Sequence, residues 1–373
     1  MKKQNRVLLT LFSVFLGILV GALVLLVAGY NPLEAYAQLF RGVFSNPKYI
    51  SWAIIRSTPI ILTGISVAFA MRTGLFNIGA EGQFVMGSLG AALAGYFLKL
   101  PPGLHALVAI LTGALFGAVW GGIAGFLKAR RGINEVITTI MLNWIAIYFS
   151  NFIMGTKAFV GNHVQVSKEI LPSASTRMLA EFKTSPEGRE FLARIPGAVD
   201  FFSTHVNWGF VIAILMGFLG WYLLKNTTKG YQLRAVGLNS DAAEYAGINV
   251  KKNVLHAMLL AGMFAGIGGA TQMLGVSHRV SLLAGAQGFG FDGIAVALIA
   301  ASNPLACIPA GLLFGALQYG GTSMQSQLRI PFEVINIIIG MIVLFVAMPY
   351  LFTLISEKFG IGRKKEGKTD DVE

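Results

Sequence analysis

The apolar runs decide what this chain can fold into. Val7–Gly29, Leu104–Leu127, Val136–Met154 and Val254–Leu274 are each near 20 residues long and almost free of charge. A run of that length spans the hydrocarbon core of a bilayer as a helix, and few other environments tolerate it. Only 12% of the 373 residues are charged and 55% are hydrophobic, against roughly a quarter charged in soluble domains. The sequence therefore predicts an all-α integral membrane protein with many spans.

Charge and cysteine content narrow the function classes. More than half of the 29 Lys and Arg residues lie in segments read as cytoplasmic, so the net charge of +12 follows from topology and implies no nucleic acid. The single Cys307 lies in an apolar run, and the five His are scattered without metal-ligand spacing. No metal site is expected. Gly362–Thr369 formally matches a phosphate loop and Gly288–Gly293 matches GxGxxG. The first sits in a charged tail and the second has no βαβ unit around it, so neither predicts nucleotide binding.

Taken in order, ten spans are expected, with both termini on the cytoplasmic side. Ala35-Tyr36-Ala37 resembles a signal-peptide cleavage site, but Val7–Gly29 exceeds a signal core and reads as the first span. Asn31–Ser51 would then be external. Thr58 and Pro59 read as the start of the next helix. From there to Met71 the rise is only about 20 Å, so either Trp52–Ile55 extends the span or it ends inside the membrane. Gly113, Gly117, Gly121 and Gly125 put a glycine stripe along one helix face, which permits very close helix approach, and Gly262-xxx-Gly266 repeats the device. Residues 155–206 form a long external loop. Residues 225–253 form a polar cytoplasmic loop, 1–355 the membrane domain, and 356–373 a disordered cytoplasmic tail.

Two glycine-rich stretches, one in each half, carry polar groups at the edges of apolar runs: Gly74–Gly82 with Asn77, Glu81 and Gln83, and Gly285–Gly293 with Gln287 and Asp292, the aromatic Phe291 joining them as a candidate path residue. Interrupted apolar segments in both halves point to a substrate path near mid-membrane. Equally, the glycines could only turn the chain while the acids cap the next helices. The amides Asn143 and Gln272 either line such a path or bond across helices. Spans nearly free of carboxylates and His disfavour a proton-driven carrier, leaving a passive pore or a carrier driven by another protein.

Within 225–253, Asn239, Ser240 and Asp241 can cap a short helix, Glu244 suits its first turn, and Gly247 stops it. A helix of about two turns persists only when docked. It is either an ordinary loop feature or the point on which a motor subunit pushes.

GLFNIGAEGQFVMGS (Gly74–Ser88), YQLRAVGLNSDAAEYAGINVKK (Tyr231–Lys252) and GFGFDGIAVALIAASNP (Gly288–Pro304) resemble the permease subunits of ATP-binding-cassette importers for nucleosides, within the superfamily that serves simple sugars and branched-chain amino acids. The resemblance runs from about Val7 to Leu354. It implies a ten-helix fold of the vitamin-B12-importer (type II) kind with two related halves, in a bacterial cell membrane. Asn239–Gly247 would be the coupling helix, with Glu244 and Tyr245 on the ATPase. The implied partners are a tandem-cassette ATPase that binds the ATP, a second homologous permease, and an external substrate-binding lipoprotein. The chain itself would hold no cofactor and catalyse nothing. A ribose- or galactose-type permease is the near alternative, and a passive facilitator the distant one.

Overall fold

A computed structural model describes residues 3–161 and 165–347, with side chains from Val14 to Val346 in those ranges. Among the described residues the regular structure is helical apart from three isolated β-bridges. The predicted tail and the last residues of the tenth span lie outside them.

α1 (Lys3–Val27) ends at Gly29, whose φ of +83° suits glycine alone at low cost. The chain then bends by 118° into α2 (Pro32–Phe44), capped by Asn31, whose Oδ1 accepts the Leu33 N–H at 3.0 Å. Most of the segment 31–51 expected to be external is thus helical, in α2 and the first turns of the next helix. α2 buries Ala35, Gly42 and Val43 and exposes Leu33, Phe40 and Phe44, an amphipathic division.

α3 (Pro47–Met71) corrects the expected start at Thr58. Asn46 caps it and Pro47 opens it, so Trp52–Ile55 and more belong to one 25-residue helix. The Thr58 hydroxyl donates back to the Ile54 carbonyl at 2.9 Å rather than capping anything, and Pro59 lies inside the helix. An interior proline is tolerated where neighbouring helices and hydroxyls take up the freed backbone groups. Every residue from Ser57 to Ala70 is buried, which makes α3 the central post of the bundle.

α4 (Ala80–Phe97), α5 (Leu104–Arg131), α6 (Glu135–Met154) and α12 (Val250–Gln272) form the second packing unit. At the α5–α12 crossing backbone lies against backbone. A methyl group at Gly117 would sit on the Gly262 carbonyl, one at Gly262 on the Gly117 carbonyl, and one at Gly121 on the Met258 carbonyl. The glycine stripe read from the sequence is this contact surface.

Residues 155–206 include α7 (Pro186–Ala193) and α8 (Ala198–Phe202) and are strapped to one end of the bundle. Ser167 N–H donates to Val280 O, Ile170 N–H to His278 O, and Leu171 N–H to Gly95 O. The opposite end carries α10 (Thr228–Leu238) and α11 (Ser240–Tyr245), reached through α9 (Gly209–Asn226). α12 finishes in a π-turn, Met273–Ser277. The chain then passes back into the bundle as α13 (Phe289–Ile299) before α14 (Cys307–Leu328) and α15 (Phe332–Ala347).

Five described helices are long and apolar enough to cross a membrane: α3, α5, α6, α9 and α12 with its π-turn. The bent α1–α2 pair makes a sixth if taken as one span, while α13 and the described part of α15 are shorter apolar helices.

Candidate functional site

The two glycine-rich stretches meet. Residues 74–80 fold back alongside α3, so that Asn77 Nδ2 reaches Ser66 Oγ at 3.2 Å, and α4 begins inside the bundle. α13 begins there too. The Glu81 carboxylate, fully buried, accepts three backbone N–H groups at the head of α13: Gln287 at 2.5 Å and Gly288 at 2.9 Å through Oε1, and Gly290 at 2.7 Å through Oε2. The first N–H groups of a helix have no partners within it, and a carboxylate is their natural acceptor. Gly290 is glycine because a methyl there would strike the Glu81 backbone. From the other side, Thr63 Oγ1 lies 2.8 Å from Phe289 O, and the Phe84 and Phe289 rings are 5.1 Å apart.

Asn77 and Gln83 pair as reciprocal amides, Nδ2 donating to Oε1 at 2.9 Å and Nε2 to Oδ1 at 3.1 Å. Asn143 crosses from α6, accepting the Gly82 N–H at 2.8 Å and donating to Ile78 O at 3.1 Å. Asn77, Glu81, Gln83 and Asn143 are therefore brought together, buried and hydrogen-bonded, and hold the junction of α4, α6 and α13. Of the second stretch, Gln287 lines a small cavity of about 60 Å³ beside Ser88, Ser150 and Gln272. Phe291 is exposed on the outer face of α13. Asp292 Oδ2 accepts from Gln318 Nε2 at 2.7 Å, while Gln318 Oε1 accepts from Arg56 Nε at 3.0 Å.

That relay borders a cavity of about 400 Å³ between α3, α12, α13, α14 and α15, toward the end that carries residues 155–206. Trp52, Phe289, Tyr319 and Phe332 give it aromatic walls, and Arg56, Gln272, Gln318 and Asn336 give it donors and acceptors. Its size is that of a small-ligand pocket. Arg56 lies over the Phe289 ring at 5.2 Å. Of these residues the sequence reading reached only Gln272. Arg56, Gln318 and Asn336 were findable by the same rule, as a cation and amides inside apolar runs.

The rim of this cavity meets the long loop. The His205 ring lies 5.6 Å from Trp52, and its Nδ1 is 2.8 Å from Arg177 Nη2, which makes Nδ1 the acceptor and the ring neutral. Burial first, and then the Arg177 charge, hold His205 below its ordinary pKa; the same two causes act on His278.

At the opposite end, Asn239 Oδ1 accepts the N–H groups of Asp241 and Ala242, both at 3.0 Å, and caps α11. Gly247, at φ +80°, ends it. Only Ala243 of the helix is buried, while Ser240, Asp241 and Glu244 are exposed and Tyr245 is 97% exposed. α10 holds this unit against the bundle through Gly237, where a methyl would strike the Arg72 carbonyl.

These features sit on a known sequence family. The model described as branched-chain amino acid transport system / permease component matches residues 49–347. The chain belongs to that family. It is 38% identical to the guanosine ABC transporter permease protein NupP of Bacillus subtilis, over 98% of this chain and 99% of that one. It is 34% identical to the nucleoside ABC transporter permease protein NupB of Lactococcus lactis, over 95% and 94%. A glucose ABC transporter permease protein of Haloferax volcanii, TsgB13, is 28% identical over 91% and 87%. The permease is thus a membrane transport subunit and not an enzyme, and the resemblance seen in the sequence motifs holds over almost its whole length.

Proposed function

We propose that this permease is the membrane subunit of an ATP-driven importer for nucleosides. The observation that carries the reading is the near full-length likeness to permeases named for guanosine and nucleosides. The 400 Å³ cavity supports the substrate class: aromatic walls suit a flat heterocycle, and the ring of amides suits a base and ribose hydroxyls. We place the cavity and residues 155–206 on the outside, where a substrate-binding lipoprotein would deliver its load. α11 then faces the cytoplasm with Glu244 and Tyr245 on the ATPase, consistent with Lys128, Arg130 and Arg131 at that end. Both termini are cytoplasmic in this reading and the fold is the ten-helix type II permease, paired with a second permease and served by a tandem-cassette ATPase.

In this mechanism the junction at Glu81 fixes α13 against α4, and the cavity residues Trp52, Arg56, Gln318 and Asn336 hold substrate. Movement of α11 opens the path at the other end. The polar groups named from the sequence, Asn77, Gln83, Asn143, Gln287 and Asp292, position the wall of that path.

The glucose permease among the relatives favours a sugar as the second reading. Uptake of labelled guanosine, adenosine, uridine and ribose, with and without the gene and before and after ATP depletion, separates the cases. Gene-dependent nucleoside uptake abolished by depletion is the expected result. Loss of ribose uptake alone moves the protein to the sugar branch, and uptake that survives depletion means a facilitator.

A further inference from the structure

We infer that a basic cleft at the α11 end binds the headgroup of an anionic phospholipid. The cleft measures about 290 Å³ and collects three cations from three elements: Arg72 at the end of α3, Lys225 on α9 and Arg234 on α10. Trp221 and Asn303 complete its polar wall, and none of its lining residues is acidic. None of the ion pairs among the described residues involves any of the three cations. Converging cations without a carboxylate between them repel one another, and an anion relieves that cost.

The site is built rather than incidental. Arg72 is fixed in place, donating from Nε to Ser302 O at 2.8 Å and from Nη2 to Ala301 O at 3.1 Å, at the point where α13 ends. Lys225 Nζ lies 5.2 Å from the Trp221 ring centre. Such an indole–ammonium pair suits the boundary between hydrocarbon and headgroups.

The source of the anion follows from the surface that leads to it. α9 presents Leu215, Phe218, Leu219 and Tyr222 outward, at helical spacing along one face that runs down to the cleft. A phosphodiester seated among Arg72, Lys225 and Arg234 would lay its acyl chains on this face. A free phosphate or an acidic protein segment has no use for it. Basic pockets at cytoplasmic helix ends take lipid headgroups by the same physics.

The test uses the full-length permease in its purified assembly, with native mass spectrometry of retained phosphatidylglycerol against phosphatidylcholine. A preference for phosphatidylglycerol is expected, falling about five-fold in each of Lys225→Gln and Arg234→Gln, and about 25-fold in the double variant. Phosphatidylcholine retention, unchanged in the single variants, guards against a folding artefact. An unaltered preference in both single variants overturns the assignment. So does full displacement of phosphatidylglycerol by millimolar inorganic phosphate, which would make the ligand a soluble anion. Loss of the ATPase from the variants with no change in lipid retention would make the cleft a protein-docking face instead, and also overturns it.

Discussion

Gly290 donates its backbone N–H to Glu81 Oε2 at 2.7 Å across 209 positions of chain. With the Gln287 and Gly288 contacts, one carboxylate closes the head of α13 against α4. Glu81→Ala would leave three N–H groups without an acceptor inside the bundle. Bonds to a charged acceptor are worth about 1.5–3 kcal/mol each, though not additively. The variant should melt several degrees lower in detergent, with Glu81→Gln intermediate; equal melting of all three proteins would refute the clamp.

The α5–α12 crossing predicts a strong size limit. Gly117→Leu must push against the Gly262 carbonyl and should destabilise by at least the roughly 1–3 kcal/mol of ordinary overpacking. Gly285→Ala, where nothing lies within 4 Å, is the control and should behave as wild type. Membrane-level protein and resistance to trypsin report the difference.

If the cavity is the substrate site, Trp52→Ala should weaken nucleoside binding at least five-fold, since stacking of a base on an aromatic ring contributes about 1–3 kcal/mol. Arg56→Gln breaks the relay through Gln318 to Asp292 and should raise the half-saturating substrate concentration as well. Isothermal binding to the purified assembly checks both, and unchanged affinity would remove the cavity from the path.

Glu244→Lys and Tyr245→Asp alter side chains that touch little of the permease itself. Substrate-stimulated ATP hydrolysis by the assembly should fall several-fold while the melting temperature of the permease holds. Full transport in both variants would sink the coupling role.

His205 and His278 both titrate below their ordinary value near 6.5 in the folded chain, through burial and then Arg177, with Lys183 adding to the effect on His205 and Glu169 partly opposing it at His278. Below that ordinary pH the unfolded segment binds more protons than the folded one, so stability present above about 6.5 is lost as pH falls. Protection factors across residues 165–206, the observed exchange rates corrected for the intrinsic rate at each pH, should therefore fall between pH 7.5 and 5.5. Much of that loss of protection should vanish in His205→Gln.

What could be read from the sequence was whatever depends on local pattern. Apolar length gave the membrane class, the Gly113–Gly125 spacing gave a helix face, and Asn239 with Gly247 gave α11 within a residue. The start of α3 was read only in part: Thr58-Pro59 looks like a helix opening, the extension through Trp52–Ile55 stood as one of two alternatives, and the helix in fact opens at the Asn46 cap and Pro47 in a stretch where buried and exposed residues alternate. α10 was missed because Thr228–Leu238 buries only a narrow stripe, Gly230, Leu233 and Val236, that does not stand out in a polar loop, and it is held in addition by the backbone approach at Gly237. The acids and amides of the glycine-rich stretches were found, but their partnership was not. The groups Glu81 grips are backbone N–H groups, which every residue but proline carries, so no sequence pattern marks them.

The glycine-to-carbonyl contact between α5 and α12 leaves no slack for one helix to slide along the other. Mechanically the pair is a beam, and α12 starts two residues after Ile248, at the foot of α11. Under the proposed coupling mechanism, a thrust on α11 would not be absorbed within the beam and would arrive at the far end, at the π-turn and Gln272, as displacement of the cavity wall.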